Sequence, residues 1–301
     1  MQFTMQPRVS IIILNWNGLN DTIECLESLK KIDYPNYEVI LVDNNSTGND
    51  VGVIKKEFGN FINKIIVNKE NLGFSGGNNI GIKDAINRNS EYILLLNNDT
   101  VVEKNFLNIL LQRSIANPDV GLLGPLICYY SDHNKVWSAY GFISKIRGSG
   151  FSKKRNSYAD YLIKDKICSF LSGCCLLIKK EVIEKVGALD ENYFLYLEDT
   201  DYCYRALQAG FKMLYVGQSR IYHKVNVSTK KSNKLLPLYY TTRNRLYFAK
   251  KNLAFWFYII SVYLYFTMKI KRLFSEDSDK MKYFLQKAYL DFKNGKFGML
   301  K

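Results

Sequence analysis

Residues 91–102, EYILLLNNDTVV, constrain the architecture of this chain more tightly than any other stretch. Four apolar residues run straight into Asn97, Asn98 and Asp99, and two valines close the segment. A short continuous apolar run bounded by polar residues reads as a buried strand of a parallel sheet. Such sheets bind ligands outside the carboxyl ends of their strands. Asp99 falls at that end, where its carboxylate can hold a hard divalent cation against a diphosphate, as magnesium sites do with one or two carboxylates and substrate phosphates. Asn-Asn-Asp is also ordinary turn chemistry, with the aspartate capping the next element. The three residues alone leave both readings open.

The N-terminal half repeats the arrangement. Residues 8–14 (RVSIIIL) read as a strand that ends in Asn15-Trp16-Asn17-Gly18. Asn20 or Asp21 caps a helix that buries Ile23, Leu26 and Leu29 on one face and ends before Tyr34-Pro35. Residues 38–42 give a second strand, stopping at Asp43-Asn44-Asn45-Ser46. A helix over 51–58, a strand over 64–67, a loop over 71–79 and a helix to about 88 follow. Strands alternating with helices on short loops predict an α/β fold, with a mostly parallel nucleotide-binding sheet flanked by helices. Neither G-x-G-x-x-G nor G-x-x-x-x-G-K-[ST] occurs, which argues against dehydrogenase and P-loop NTPase classes. The carboxyl edge then carries Asn15, Asn17, Asp43, Asn71 and Asp99, rich in amides and poor in cations. A diphosphate bound there needs a metal for much of its neutralising charge.

From residue 120 to about 161 the pattern turns to irregular strands and turns, with His133, Trp137 and a Gly-rich basic stretch over 141–155. It reads as an extension over the site, partly mobile, of the kind that supplies acceptor contacts and lids. Trp137 either packs or stacks on a sugar, and His133 reads as a surface residue. Residues 167–178 (ICSFLSGCCLLI) read as two strands separated by a close backbone approach at Ser172-Gly173, with Cys174 and Cys175 as small core residues. The six cysteines form no C-x-x-C pair and no disulfide framework, which fits a reducing cytosolic compartment. After a helix over 180–186 comes FLYLEDTDYCYR (194–205), with Glu198, Asp199 and Asp201 crowded behind an aromatic-aliphatic run at the start of a helix. Helix capping explains one or two of these carboxylates. It does not explain three against an apolar wall, where mutual repulsion raises a pKa and poises a general base. His223, one of two histidines, follows a strand over 212–216.

Taken in order, VSIIILNWNG, VDNNST, NLGFSGGNN, LLLNNDTVV and FLYLEDTDYCYRALQAGFKMLYV followed by His223 resemble the inverting, nucleotide-sugar-dependent glycosyltransferases of family two, with the GT-A fold. The later YYTTRNRLYFAKKN (239–252) is similar to their bacterial rhamnosyltransferase-like branch. The resemblance implies that Asp43 accepts a hydrogen bond from the pyrimidine, with Asn15, Asn17 and Asn45 near the nucleoside. It places Asn71, Gly73 and Asn78 against the ribose and diphosphate. Asn97-Asn98-Asp99 matches the Asp-x-Asp position, and Asp99 with His223 holds Mn²⁺ or Mg²⁺. Asp199 is then the base that deprotonates the acceptor and Glu198 orients that acceptor. Asn97 stands where the fullest motif has its first aspartate, which lowers the negative charge available to a metal. The implied organisation is a GT-A catalytic domain over 1–225, with a donor half over about 8–102 and an acceptor half over about 103–225. A helical, membrane-associating extension occupies 226–301.

The net charge of +14 is not spread evenly. Residues 1–223 carry 25 Lys+Arg against 24 Asp+Glu, whereas residues 224–301 carry 17 against 4. Within this basic tail, LAFWFYIISVYLYFTM (253–268) is sixteen residues without a charge, flanked by Lys250, Lys251, Lys269, Lys271 and Arg272. It is short for a spanning helix, which needs around 20 apolar residues. Its aromatics between basic clusters fit an interfacial segment on an anionic membrane surface, over residues 250–272, or else a helix docked on protein. These features predict a cytoplasmic enzyme, peripheral on the inner face of the cell membrane. The resemblance implies that it transfers a sugar, with dTDP-L-rhamnose the favoured donor and a UDP-sugar the second, to a lipid-linked or polysaccharide acceptor with inversion, in surface polysaccharide biosynthesis. A homo-oligomer is compatible with the sequence. The alternatives are a nucleotide-sugar-binding assembly subunit without activity and a nucleic-acid module using the basic tail. Aromatics clustered in an uncharged block, apart from a basic groove, argue for no nucleic acid partner.

Overall fold

The computed structural model describes residues 6–225, 235–273 and 278–300. The junction expected at 225/226 borders the segment 226–234, which lies outside the described residues. Strands β1 (Val9–Asn15), β2 (Tyr37–Asp43), β3 (Lys64–Val67) and β4 (Tyr92–Asn97) form a parallel block in the order β3-β2-β1-β4. Helices α1 (Leu19–Leu29), α2 (Asp50–Phe58) and α3 (Gly73–Asn87) connect them. Beyond β4 the sheet becomes mixed. β11 (Cys175–Lys179) runs antiparallel to β4, followed by β6 (Val120–Tyr129), β12 (Lys212–His223) and β10 (Lys166–Cys168). β5 (Thr100–Val102) pairs with β12, and β7 (Asp132–Ser138) with β6. β8 (Gly141–Ser144) and β9 (Ser149–Ser152) form a separate hairpin.

Alternation along β1 decides the layers. Ile11 and Ile13 face α1, α2 and α4 (Phe106–Ala116), where they meet Leu26, Leu29, Ile54 and Leu110. Ile12 faces the other way, against Ile82 and Ala85 of α3, in a core completed by α5 (Lys180–Val186) and α6 (Glu198–Gln208). Each such fully buried aliphatic side chain contributes roughly 1.5–3 kcal/mol.

Three expectations change. Residues 73–79 are not loop: α3 begins at Gly73, since small residues let it lie directly on β1 and β2. Residues 120–129 are not part of a mobile extension. Nine of the ten are buried, and β6 is an interior strand held by β11 on one side and β12 on the other. The strand expected over 212–216 continues through an irregularity between Val216 and Arg220 to His223.

The C-terminal elements are α7 (Leu236–Asn252), α8 (Phe257–Leu273) and α9 (Ser278–Lys293). Ile260, Leu264 and Met268 turn one face of α8 onto Leu246, Phe248 and Ala249 of α7. The opposite face leaves Tyr258, Tyr265 and Phe266 more than half exposed, as is Phe255 in the turn before the helix. Among the described residues no helix is long and apolar enough to cross a membrane.

Gly81 tests the α3 contact. A Cβ there would lie 2.6 Å from Ile12 Cγ2, an atom fixed by its strand. Alanine in a helix interior usually gains about 1 kcal/mol over glycine, but overpacking a filled core costs about 1–3 kcal/mol. Gly81→Ala should therefore lower stability in urea titration, whereas a gain would mean that α3 has room to move off the sheet.

Candidate active site

Asp99 lies in the turn between β4 and β5, its Oδ1 3.0 Å from His223 Nε2. Strand pairing enforces this contact, because β5 runs antiparallel to the end of β12 with Thr100 opposite His223. The imidazole is 8% exposed and the Asp99 carboxylate 21%, so the oxygen side is the more open. Trp137 of β7 packs edge-on against the imidazole at 4.3 Å between ring centroids, and Arg155 lies over the indole. His133 is exposed and stacks on Tyr222. One carboxylate and one imidazole, with no third His, Cys, Asp or Glu joining them among the described residues, do not make an all-protein cage. They fit a cation that takes its remaining ligands from phosphate oxygens and water.

The second acidic centre is presented by a tight turn. Phe194, Tyr196 and Leu197 all have positive φ, of 57°, 69° and 71°. Each such conformation costs a non-glycine residue on the order of 1–3 kcal/mol and persists only where surrounding contacts impose it. Phe194 O accepts from Phe74 N at 2.6 Å, and Gly73 (φ 71°) lies so close to Phe194 that a Cβ would overlap its carbonyl. Glycine is thus required at 73 by this turn. Glu198 and Asp199 then open α6. Asp199 Oδ2 accepts from Gly173 N at 3.2 Å and Oδ1 from Thr200 N at 2.7 Å.

Gly173 and Cys174 sit in the turn leading into β11, and Cys174 O accepts from Asn97 N at 2.9 Å. Two backbone contacts therefore tie the Asp199 carboxylate to the Asp99 turn. The Cys174 thiol, between them, is raised well above its ordinary pKa, first by burial and then by the charges of Asp99 and Asp199. Cys174 and Cys175 are buried core thiols. Glu198 is buried with Oε2 unpartnered, and burial, followed by repulsion from Asp199, pushes its pKa up to about 8. Burial also raises Asp199, opposed by the amides of Gly173 and Thr200. Asp201 is different: fully buried, it accepts from Tyr193 Oη, Arg205, Lys251 and Asn252, a structural hub.

On the donor side, Asn15 and Asp43 lie buried at the ends of β1 and β2. Asn15 Nδ2 donates to Asp43 Oδ1 at 2.8 Å, and the backbone N and Oγ of Ser46 donate to the same carboxylate. Asn17 and Asn45 are exposed, with φ of 52° and 65°. Asn17 Oδ1 accepts from Thr47 N, closing the rim between the first two loops. Asn71 Oδ1 accepts from Gly73 N and from Asn44 Nδ2. Asn78 is buried and donates to Phe74 O, while Asn98 Nδ2 donates to Thr22 Oγ1 of α1. Asn97 ends β4 beside the site, half-buried.

Asn44, Ser46, Asp50 and Thr22 join this network without having been singled out in the sequence. Asn44 and Ser46 lie inside VDNNST, but which amide of that run points inward depends on the left-handed backbone at Asn45.

Comparison with known proteins gives one family, described as Glycosyl transferase family 2, matching residues 10–187. A dTDP-rhamnosyl transferase, RfbF, of Shigella flexneri is 24% identical over 257 residues, covering 82% of this chain and 82% of the relative. An N-acetylglucosaminyl-diphospho-decaprenol L-rhamnosyltransferase of Mycobacterium tuberculosis is 28% identical over 180 residues, 51% of this chain and 58% of that protein. Among solved structures, the mannosyltransferase PcManGT from Pyrobaculum calidifontis, in complex with GDP-Man and Mn²⁺, shares the fold. It has a TM-score of 0.61 at 13% identity, over 97% of this chain and 89% of that one.

Glu198 keeps its proton to higher pH in the folded chain than in the unfolded one. From the ordinary carboxylate range up to about 8 the unfolded state binds fewer protons, so stability falls as pH rises through that window. Thermal melts from about pH 5 to about pH 9 should show a shallower decline for Glu198→Gln than for the parent chain. Parallel curves would show that Glu198 ionises normally in the fold.

Proposed function

We propose, from the premise that this chain belongs to glycosyl transferase family 2, that it moves one sugar from a nucleotide-sugar donor to a lipid-linked saccharide, with inversion. The observation that carries this reading is the Asp99–His223 pair tied through Gly173–Cys174 to Asp199. The rhamnosyl transferases among its relatives support dTDP-L-rhamnose as donor, with a UDP-sugar second. The decaprenol-linked acceptor in one relative's name supports a lipid-linked acceptor in surface polysaccharide synthesis.

Asn15, Asn17, Asp43 and Asn45 take the nucleoside side, and Asn71, Gly73, Asn78 and the 97–99 turn the ribose and diphosphate side. Asp99 and His223 would hold Mn²⁺ or Mg²⁺, which supplies positive charge to the departing diphosphate. Burial pushes Glu198 up to about 8, while the amides of Gly173 and Thr200 oppose the rise at Asp199, which makes Asp199 the group that carries the base role. Asp199 takes the acceptor hydroxyl proton while that oxygen forms its bond to the anomeric carbon. The bond from that carbon to the diphosphate oxygen breaks on the opposite face, and its electron pair leaves with the nucleoside diphosphate. Glu198, its oxygen unpartnered, orients the acceptor.

The exposed aromatics of α8, with Lys250, Lys269 and Arg272, support a peripheral attachment to an anionic bilayer at the headgroup level, in keeping with an enzyme working on the cytoplasmic face.

A thermal-shift panel of nucleoside diphosphates and nucleotide sugars, with and without Mn²⁺, should show stabilisation by dTDP or UDP that Mn²⁺ enhances. Asp199→Asn should abolish transfer while leaving that shift in place; wild-type turnover in the variant would reassign the base. Vesicles containing anionic lipid should pellet the protein at low salt, less so at high salt, and less so for Tyr258→Ser/Tyr265→Ser. Binding that ignores both salt and those substitutions would remove the membrane face from the reading.

A further inference from the structure

Within the turn that presents Glu198 and Asp199, Leu195 N donates to Tyr193 O at 2.6 Å, and the remaining support comes from outside the turn. Its left-handed positions, Phe194, Tyr196 and Leu197, are bulky side chains with no intrinsic preference for positive φ. The carbonyls of Tyr193, Leu195 and Tyr196 point away from any helix or strand ladder. All three lie within hydrogen-bond distance of one group, Asn244 Nδ2 of α7, at 2.8, 2.9 and 2.8 Å, so its two N–H bonds are shared among three acceptors. Asn244 is fully buried, and Arg243 Nε donates to its Oδ1 at 3.0 Å, which fixes the carboxamide with its NH₂ toward the turn. Arg243, itself buried, donates through Nη2 to the carbonyls of Asn192 and Tyr193 and through Nη1 to Gly298 O.

We propose that Asn244 is a positioning residue of the active site, its carboxamide clamping residues 193–197 so that Glu198 and Asp199 face the Asp99–His223 pair. Hydrophobic burial alone cannot select this backbone. A buried NH₂ group that would otherwise lack partners favours the one conformation that gathers three carbonyls around it. The C-terminal helix thereby acts on the chemistry without touching substrate. This rests on the roles given above to Glu198 and Asp199.

The test is Asn244→Ala in the full chain. Hydrogen–deuterium exchange of amides 193–201 should quicken while those of β1 and β4 stay protected, a readout independent of any substrate. With dTDP-L-rhamnose as donor and a bacterial lipid extract as acceptor source, kcat should fall about a hundredfold, the scale of an ångström's misplacement of a reacting group. Affinity for dTDP should fall much less than kcat, since of the donor side only Gly73 and Phe74 meet the turn while Asn15, Asp43 and Ser46 keep their own hydrogen bonds, and the acid limb of the pH–rate profile should move to lower pH as the pair gains water. Asn244→Asp, which keeps the volume and places an anion against three carbonyls, is measured alongside in case the alanine variant does not fold, and should behave the same way. Unchanged exchange at 193–201, or wild-type kcat and acid limb in a folded variant, overturns the clamp. If the parent chain releases no dTDP, the donor assignment fails and exchange alone decides the clamp.

Discussion

One backbone pairing brings the chemistry together. β11 enters the sheet antiparallel to β4, placing Cys175 opposite Leu96 and letting Asn97 N donate to Cys174 O. Without that strand the acids at 99 and 199 would belong to separate parts of the chain. With it, the turn before β11 becomes the common wall of both: Gly173 N binds Asp199, and the Cys174 carbonyl binds the end of β4. The conversion of a parallel sheet into a mixed one at this point is therefore what forms the site. Parallel strands end in loops on one side, and a single antiparallel insertion delivers the start of another element to the same edge.

The electrostatics follow from the same wall. Packing carboxyls against buried cysteines and aromatics withdraws solvent from them, so Glu198 holds its proton and Asp199 is opposed only by two amides and a hydroxyl. Asp201, two positions on, shows what full compensation looks like: four donors surround it and its role is structural. Three carboxylates adjacent in sequence thus have three different environments, set by which neighbours each meets.

The parallel block was readable from its apolar runs because a strand covered on both faces is apolar at nearly every position, as residues 11–14 and 93–96 are. Asp99, Asp199 and His223 were legible as candidates because strand ends and crowded acids leave a pattern. Three features were not. Residues 73–79 looked like a loop because glycine is a poor helix former, and only the approach of Leu14 to Gly77 explains why helix there needs glycine. The burial of β6 depends on which strands flank it, a property of topology that a single run of residues does not contain. Asn244 lay in plain view within the 239–252 stretch, yet nothing local marks an amide whose partners are three carbonyls about fifty residues earlier.

The hub at Asp201 has a consequence for where this protein ends as a physical object. The strands and helices around the site close at His223, but Lys251 and Asn252 of α7 supply half of the donors around a fully buried carboxylate. A fragment cut after β12, at about residue 225, would strand that anion and unroof Tyr193 beneath it. The part of the chain that keeps its own buried charge paired therefore reaches through α7.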